Sequence, residues 1–135
     1  MESPSIMNHL SIGTNDVERA LSFYDQVLGT LGASRQIDMP GIGAAFGKLY
    51  PEFWVQKPHN EGEAGVANGV HFAFNAESKA AVDAFYQAAM KAGAVSDGEP
   101  GPRPHYGAAY YGCFVYDPDG HKIEATFWDE TLSEV

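Results

Sequence analysis

The chain has 135 residues, of which 44% are hydrophobic and 13% aromatic, enough for one compact core; 18 acids against 8 bases give it a formal charge of −10. Lys and Arg form no cluster anywhere, so the electrostatic footprint that phosphate backbones demand is missing and nucleic acid is excluded as an expected partner. No apolar run approaches the roughly 20 residues that cross a bilayer, Met1-Glu2-Ser3-Pro4 has neither a basic start nor an apolar core, and the lone Cys113 can form no internal disulfide, so a cytoplasmic protein with no membrane partner is expected.

In chain order, Ile6 to Gly13 alternates as a strand, with Ile6, Asn8, Leu10 and Ile12 on one face and Met7, His9, Ser11 and Gly13 on the other. Asn15 is placed to cap a helix with Glu18 three residues on, and Val17, Ala20, Leu21, Tyr24, Val27 and Leu28 recur at helical spacing until Gly29 to Gly32 stops it. Ala33 to Lys57 reads as three short strands broken at Met39-Pro40-Gly41 and Tyr50-Pro51, the last containing Phe53-Trp54-Val55-Gln56. His59 to Asn68 is polar, Gly-rich and aperiodic, as a linker would be.

The second half opens on the alternating Gly69-Val70-His71-Phe72-Ala73-Phe74 and runs into a helix from about Ser78 to Ala92, stopped by Gly93. Pro100 to Pro104 is too rich in Pro and Gly for regular structure. A strand at Tyr110 to Tyr116, the turn Asp117-Pro118-Asp119-Gly120 and a strand at His121 to Trp128 make a hairpin. His59 and His121 read as exposed loop residues, and Cys113 as a small buried hydrophobe.

His9 and His71 stand 62 positions apart, and so do Phe23-Tyr24 and Phe85-Tyr86, so one strand and one helix recur in register. Phe53 to Gln56 lies over Ile123 to Thr126 once a longer loop in the second half is allowed for. Alternation places His9, His71 and Glu124 opposite the apolar face of their respective strands. Two imidazoles and a carboxylate on one face suit Fe, Mn, Zn or Ni and leave coordination positions open; a solvated Glu and structural His residues are the plainer alternative that spacing alone leaves standing.

Met7-Asn8-His9-Leu10-Ser11-Ile12, Val17 to Tyr24, Gly69 to Phe74 and Asp117-Pro118-Asp119-Gly120-His121-Lys122-Ile123-Glu124 together resemble the vicinal oxygen chelate superfamily of glyoxalases, bleomycin resistance proteins and extradiol dioxygenases, over about residues 5 to 128. The resemblance implies an α+β fold of two βαβββ modules, about 5–57 and 69–128 with a linker about 58–68, forming a curved mixed sheet with helices on its outer face. It also implies one divalent metal ion held by His9, His71 and Glu124, and a homodimer whose halves are in some members exchanged. Where glyoxalase I enzymes of that superfamily have a fourth ligand this chain has Trp54, whose indole N–H has no lone pair to offer; Gln56 on the same face is a weak oxygen donor at best.

The implied function is a metal-dependent enzyme acting on a small oxygen-rich substrate, a lyase or isomerase with a metal-stabilised enolate. Glu124, His105 and Tyr110 are the expected catalytic groups, and Trp54, Gln56, Arg103, Tyr106 and Tyr111 the expected substrate contacts; loop packing and ordinary strand aromatics are the competing account of those in and after the Pro-rich loop. An Fe(II) extradiol-type dioxygenase uses the same trio. A non-enzymatic binder of the bleomycin-resistance kind suits the −10 charge but has no need of the trio. The scarcity of cations beyond Arg103, Lys48 and Arg35 disfavours a phosphonate substrate.

Overall fold

The computed structural model describes residues 3–132; Met1 and Glu2, part of the N-terminal stretch read above, lie outside the described residues. The element order is β1 (Leu10–Gly13), α1 (Val17–Gly29), β2 (Ser34–Met39), β3 (Gly43–Gly47), β4 (Phe53–Gln56), then β5 (His71–Asn75), α2 (Lys79–Lys91), β6 (Val95–Pro102), β7 (Tyr110–Tyr116) and β8 (Lys122–Trp128). Each half builds a four-stranded mixed sheet of identical topology, β1-β4-β3-β2 and β5-β8-β7-β6, with the first strand parallel to the last. The α+β fold of two βαβββ modules is therefore as the resemblance implies.

The two helices are each 13 residues long and begin 62 positions apart, at Val17 and Lys79. The cap of α1 is Asp16 and not Asn15: its carboxylate accepts from Arg19 N at 3.1 Å, while Asn15 exchanges hydrogen bonds with the backbone of Ala64 and so ties down the linker. Ser78 caps α2 in the same way, accepting from Ala81 N at 3.0 Å. No helix among the described residues is long and apolar enough to cross a membrane.

Three local expectations change. The first ladder pair is Leu10 with Phe53, so His9 stands just ahead of β1. The stretch through Pro100 and Pro102 is strand β6, with register shifts at Ser96/Gly98 and Gly98/Gly101; an edge strand tolerates a residue without an N–H because only one side of it is laddered. His121 is not an exposed loop residue: it is 8% exposed, and its Nε2 donates to the Gly13 carbonyl at 2.8 Å.

One core cluster joins both modules. Ala44, Phe46, Phe53 and Val55 of the first sheet and Cys113, Val115, Ile123 and Ala125 of the second face the helices, and α1 and α2 also pack on each other. Phe53 bridges the halves, its ring 5.6 Å from Phe72 and 5.1 Å from Phe74. The Asp117–Gly120 turn is drawn to the first module by Tyr24, which donates to Asp117 Oδ2 at 2.6 Å, and by Thr14, which donates to Asp119 Oδ2 at 2.7 Å. The sheet faces turned away from the helices are thereby left to carry other side chains.

Candidate metal centre

On the helix-averted face of the second sheet, the register sets Ala73 beside Glu124 and Glu124 beside Phe114. Glu124 is 6% exposed. A buried carboxylate needs partners for both oxygens, and Glu124 has them: Tyr110 donates to Oε2 at 2.6 Å, and His71 Nε2 lies 3.4 Å from Oε1. The His71 imidazole is half exposed and meets the Phe114 ring at 6.1 Å. Close by on this face, the Thr126 hydroxyl is buried without a hydrogen-bond partner.

The spacing of this pair suits a shared ion. Two donor atoms at roughly 2.0–2.2 Å from one metal, at ordinary tetrahedral or octahedral angles, are about 3 to 3.5 Å apart. His71 Nε2 and Glu124 Oε1 stand at 3.4 Å, with the imidazole open to solvent and the carboxylate fixed from behind.

His9 is placed elsewhere. Its Nδ1 is 2.8 Å from Asn8 Oδ1, and its ring lies 6.4 Å from Trp54, edge to face. His9 lines a groove of about 500 Å³ with Phe46, Phe53 and Phe72, whereas His71 lines a separate one of about 420 Å³ with His121 and Lys122. Among the described residues, no three His, Cys, Asp or Glu side chains gather within one chain in a way that could hold a metal. Within one chain, His9 stands apart from the His71–Glu124 pair.

The remaining expected site residues divide by side of the sheet. Tyr106 packs edge-on against Tyr110 at 5.0 Å, and His105 leans on Tyr106 at 4.3 Å, which puts His105 two rings away from Glu124. Arg103 is tied to backbone carbonyls, donating to Glu99 at 2.8 Å, Gly101 at 3.1 Å and Pro102 at 3.2 Å, with its guanidinium 5.8 Å from the Phe114 ring centre. Lys122 lies 5.2 Å over the same ring and pairs with Asp97 at 3.0 Å. Trp54 and Gln56 share the helix-averted face of the first sheet with Ser11 and Gly13.

Tyr111 corrects an expectation: it points to the helix side, where its hydroxyl donates to Asp83 at 2.7 Å and Lys79 lies over its ring. Strand alternation carries this signal, since Tyr110 and Tyr111 cannot occupy one face. Sequence reasoning missed Asp117, Asp119 and His121 as inter-module ties, and Gly112 beside Tyr110; nothing local marks them.

Burial, followed by the hydrogen bond to Glu124 and its charge, pushes the Tyr110 phenol well above its ordinary range, so it remains a hydrogen-bond donor at every working pH. The Tyr111 phenol is raised chiefly by its bond to Asp83. Burial likewise raises the Cys113 thiol, to about 11.

Comparison with known proteins agrees with this architecture. The profile of the Glyoxalase/Bleomycin resistance protein/Dioxygenase superfamily matches residues 6–125. A glyoxalase/bleomycin resistance protein from Albidiferax ferrireducens T118 is 32% identical, covering 90% of this chain and 98% of its own, with a TM-score of 0.81. A glyoxalase/bleomycin resistance protein/dioxygenase family enzyme from Burkholderia phytofirmans PsJN (21% identity, 88% and 95% coverage, TM-score 0.67) and a lactoylglutathione lyase from Agrobacterium tumefaciens (20% identity, 93% and 95% coverage, TM-score 0.63) share the fold. No curated protein matches the chain. With the two βαβββ modules and a profile match that spans most of its length, the chain belongs to the Glyoxalase/Bleomycin resistance protein/Dioxygenase superfamily.

Proposed function

We propose that the chain is a metal-dependent enzyme of the glyoxalase-like type, a lyase or isomerase acting on a small oxygen-rich substrate, and that it works as a homodimer. The observation that carries the reading is the His71–Glu124 pair: a half-exposed imidazole whose Nε2 lies 3.4 Å from Oε1 of a buried carboxylate, the other oxygen of which accepts from Tyr110. Two such donors occupy part of a coordination sphere and leave positions for neighbouring substrate oxygens. A divalent ion bound there supplies Lewis acidity, drawing charge from the substrate oxygens.

The third donor, His9, reaches the pair in a dimer. β1 and β5 are the end strands of their sheets, with exposed Ile6, Met7 and Val70 beside them. Open strand edges flanked by apolar side chains invite pairing with another chain. In this reading β1 of one copy pairs beside β5 of another, so that His9 of one chain completes the trio with His71 and Glu124 of the partner subunit. Glu124 and Tyr110 then lie at the reacting end. The aromatic rings of Trp54, Tyr106 and Phe114 offer flat surfaces to the substrate.

The test is metal content of the purified dimer, together with turnover of hemithioacetals and of catechols. About one divalent ion per chain is expected, lost in His71→Ala and in Glu124→Ala; metal retained by both variants sinks the assignment. An Fe(II) extradiol-type dioxygenase is the second reading, favoured by the aromatic surroundings of Glu124, with Tyr106, Tyr110 and Trp128 packed edge to face in sequence. Oxygen uptake with catechols after anaerobic loading with Fe(II) selects it. A protein that binds small ligands without metal and turns over neither class is the non-enzymatic binder.

A further inference from the structure

Glu124 is held by an arrangement built around a residue with no side chain. Gly112 lies in β7 two positions after Tyr110 and two before Phe114, on the Glu124 side of the sheet. Its φ is not among the positive ones, so the backbone conformation does not call for glycine. Space does: a Cβ at this position would collide with the Tyr110 hydroxyl and would lie 2.8 Å from the Ala125 carbonyl oxygen. The phenol crosses the strand over Gly112 to reach Glu124 Oε2 at 2.6 Å. Tyr110 is 3% exposed, and its ring is gripped edge-on by Tyr106 at 5.0 Å and Trp128 at 5.3 Å.

We propose that Tyr110, seated over Gly112, is a positioning residue that occupies Glu124 Oε2 and so limits Glu124 to one oxygen, Oε1, toward the ion it shares with His71. The inference rests on the metal reading above and adds how the carboxylate binds. A carboxylate free at both oxygens can chelate through both and fill two positions. Tied at Oε2 by Tyr110, it would bind through Oε1 and fill one. The clamp also keeps Glu124 from swinging, because the ring that holds it is itself wedged.

The experiment is titration of the purified full-length protein with Co(II), reading the visible absorption of the bound ion and the affinity, for wild type, Tyr110→Phe and Gly112→Ala. Tyr110→Phe removes the donor, while Gly112→Ala keeps the hydroxyl and displaces the ring. Both are expected to bind Co(II) about 10–100-fold more weakly, with the same altered absorption spectrum, as loss of a ligand's hydrogen-bond partner generally does. His71→Ala and Glu124→Ala are expected to abolish the signal. An unchanged spectrum and affinity in Tyr110→Phe, with wild type binding normally, overturns the positioning role alone. Failure of wild type to bind Co(II) overturns the metal reading and this inference with it. Should Tyr110→Phe not fold, Gly112→Ala decides: an unchanged spectrum there is equally fatal.

Discussion

Tyr24, fully buried in the middle of α1, donates its hydroxyl to Asp117 Oδ2 at 2.6 Å, and the other oxygen of Asp117 accepts from the backbone of Asp119 and His121. One carboxylate therefore shapes the β7–β8 turn and fastens it to the opposite module. Removing the Tyr24 hydroxyl leaves Oδ2 buried without its donor, which costs about 1.5 to 3 kcal/mol for a charged acceptor. Tyr24→Phe should unfold at correspondingly lower urea with an unchanged slope; a midpoint equal to wild type would show that the turn does not depend on this bond.

The same carboxylate gives stability a pH dependence. Burial raises Asp117 above its ordinary value of 3.8, against the lowering effects of the Tyr24 hydrogen bond and of His121. The folded state then binds the proton more tightly than the unfolded chain, so its contribution is fully present below the unfolded pKa and is lost as pH rises through the folded one. Asp117→Asn cannot titrate. The stability of wild type relative to Asp117→Asn should therefore fall between about pH 4 and the folded pKa, and chemical denaturation at stepped pH checks it. A difference that grows in favour of wild type over that window contradicts the sign.

Much of this architecture is legible locally. The apolar stripe of α1, the span of α2 up to its stop at Gly93 and the Asp117-Pro118-Asp119-Gly120 turn each carry their signal within a few residues, and the 62-residue repeat reports that the halves match. Alternation also puts Glu124 opposite the buried Ile123 and Ala125, and the same rule separates Tyr110 from Tyr111. What it does not carry is docking. Whether His9 meets His71 depends on how two similar modules are set against each other, which Phe53, Tyr24, Thr14 and His121 decide through contacts about a hundred positions apart in some cases. The choice between Asn15 and Asp16 as cap was settled by Ala64, whose backbone claims Asn15.

Cys113 illustrates a reading that needs only burial. Its thiol faces α2, with Sγ 3.9 Å from the Val82 carbonyl oxygen, and burial raises it to about 11. Thiolate is the reactive form, so at pH 8 the folded protein offers almost none of it and little access. A disulfide-exchange reagent should leave Cys113 unmodified in native buffer and react with one thiol per chain in denaturant. Rapid native reaction would place Cys113 outside the core.

Exchange of modules between copies makes a prediction that a site within one chain does not share. Consider His9→Ala mixed with His71→Ala, each unable to build a complete trio with itself. In a heterodimer of the two, one site combines both defects, and the other combines an intact His9 with an intact His71 and Glu124. Random reassortment of equal amounts gives heterodimers in about half of the dimers, so metal binding should recover to about a quarter of the wild-type level in the mixture. Sites confined to single chains recover nothing, because every chain carries a defect. Unfolding and refolding the two variants together, against the same treatment apart, distinguishes the cases: recovery confined to the co-refolded sample supports the exchanged dimer, and its absence, with dimers formed, removes it. The comparison does not require knowing the substrate, since metal content alone reports the outcome.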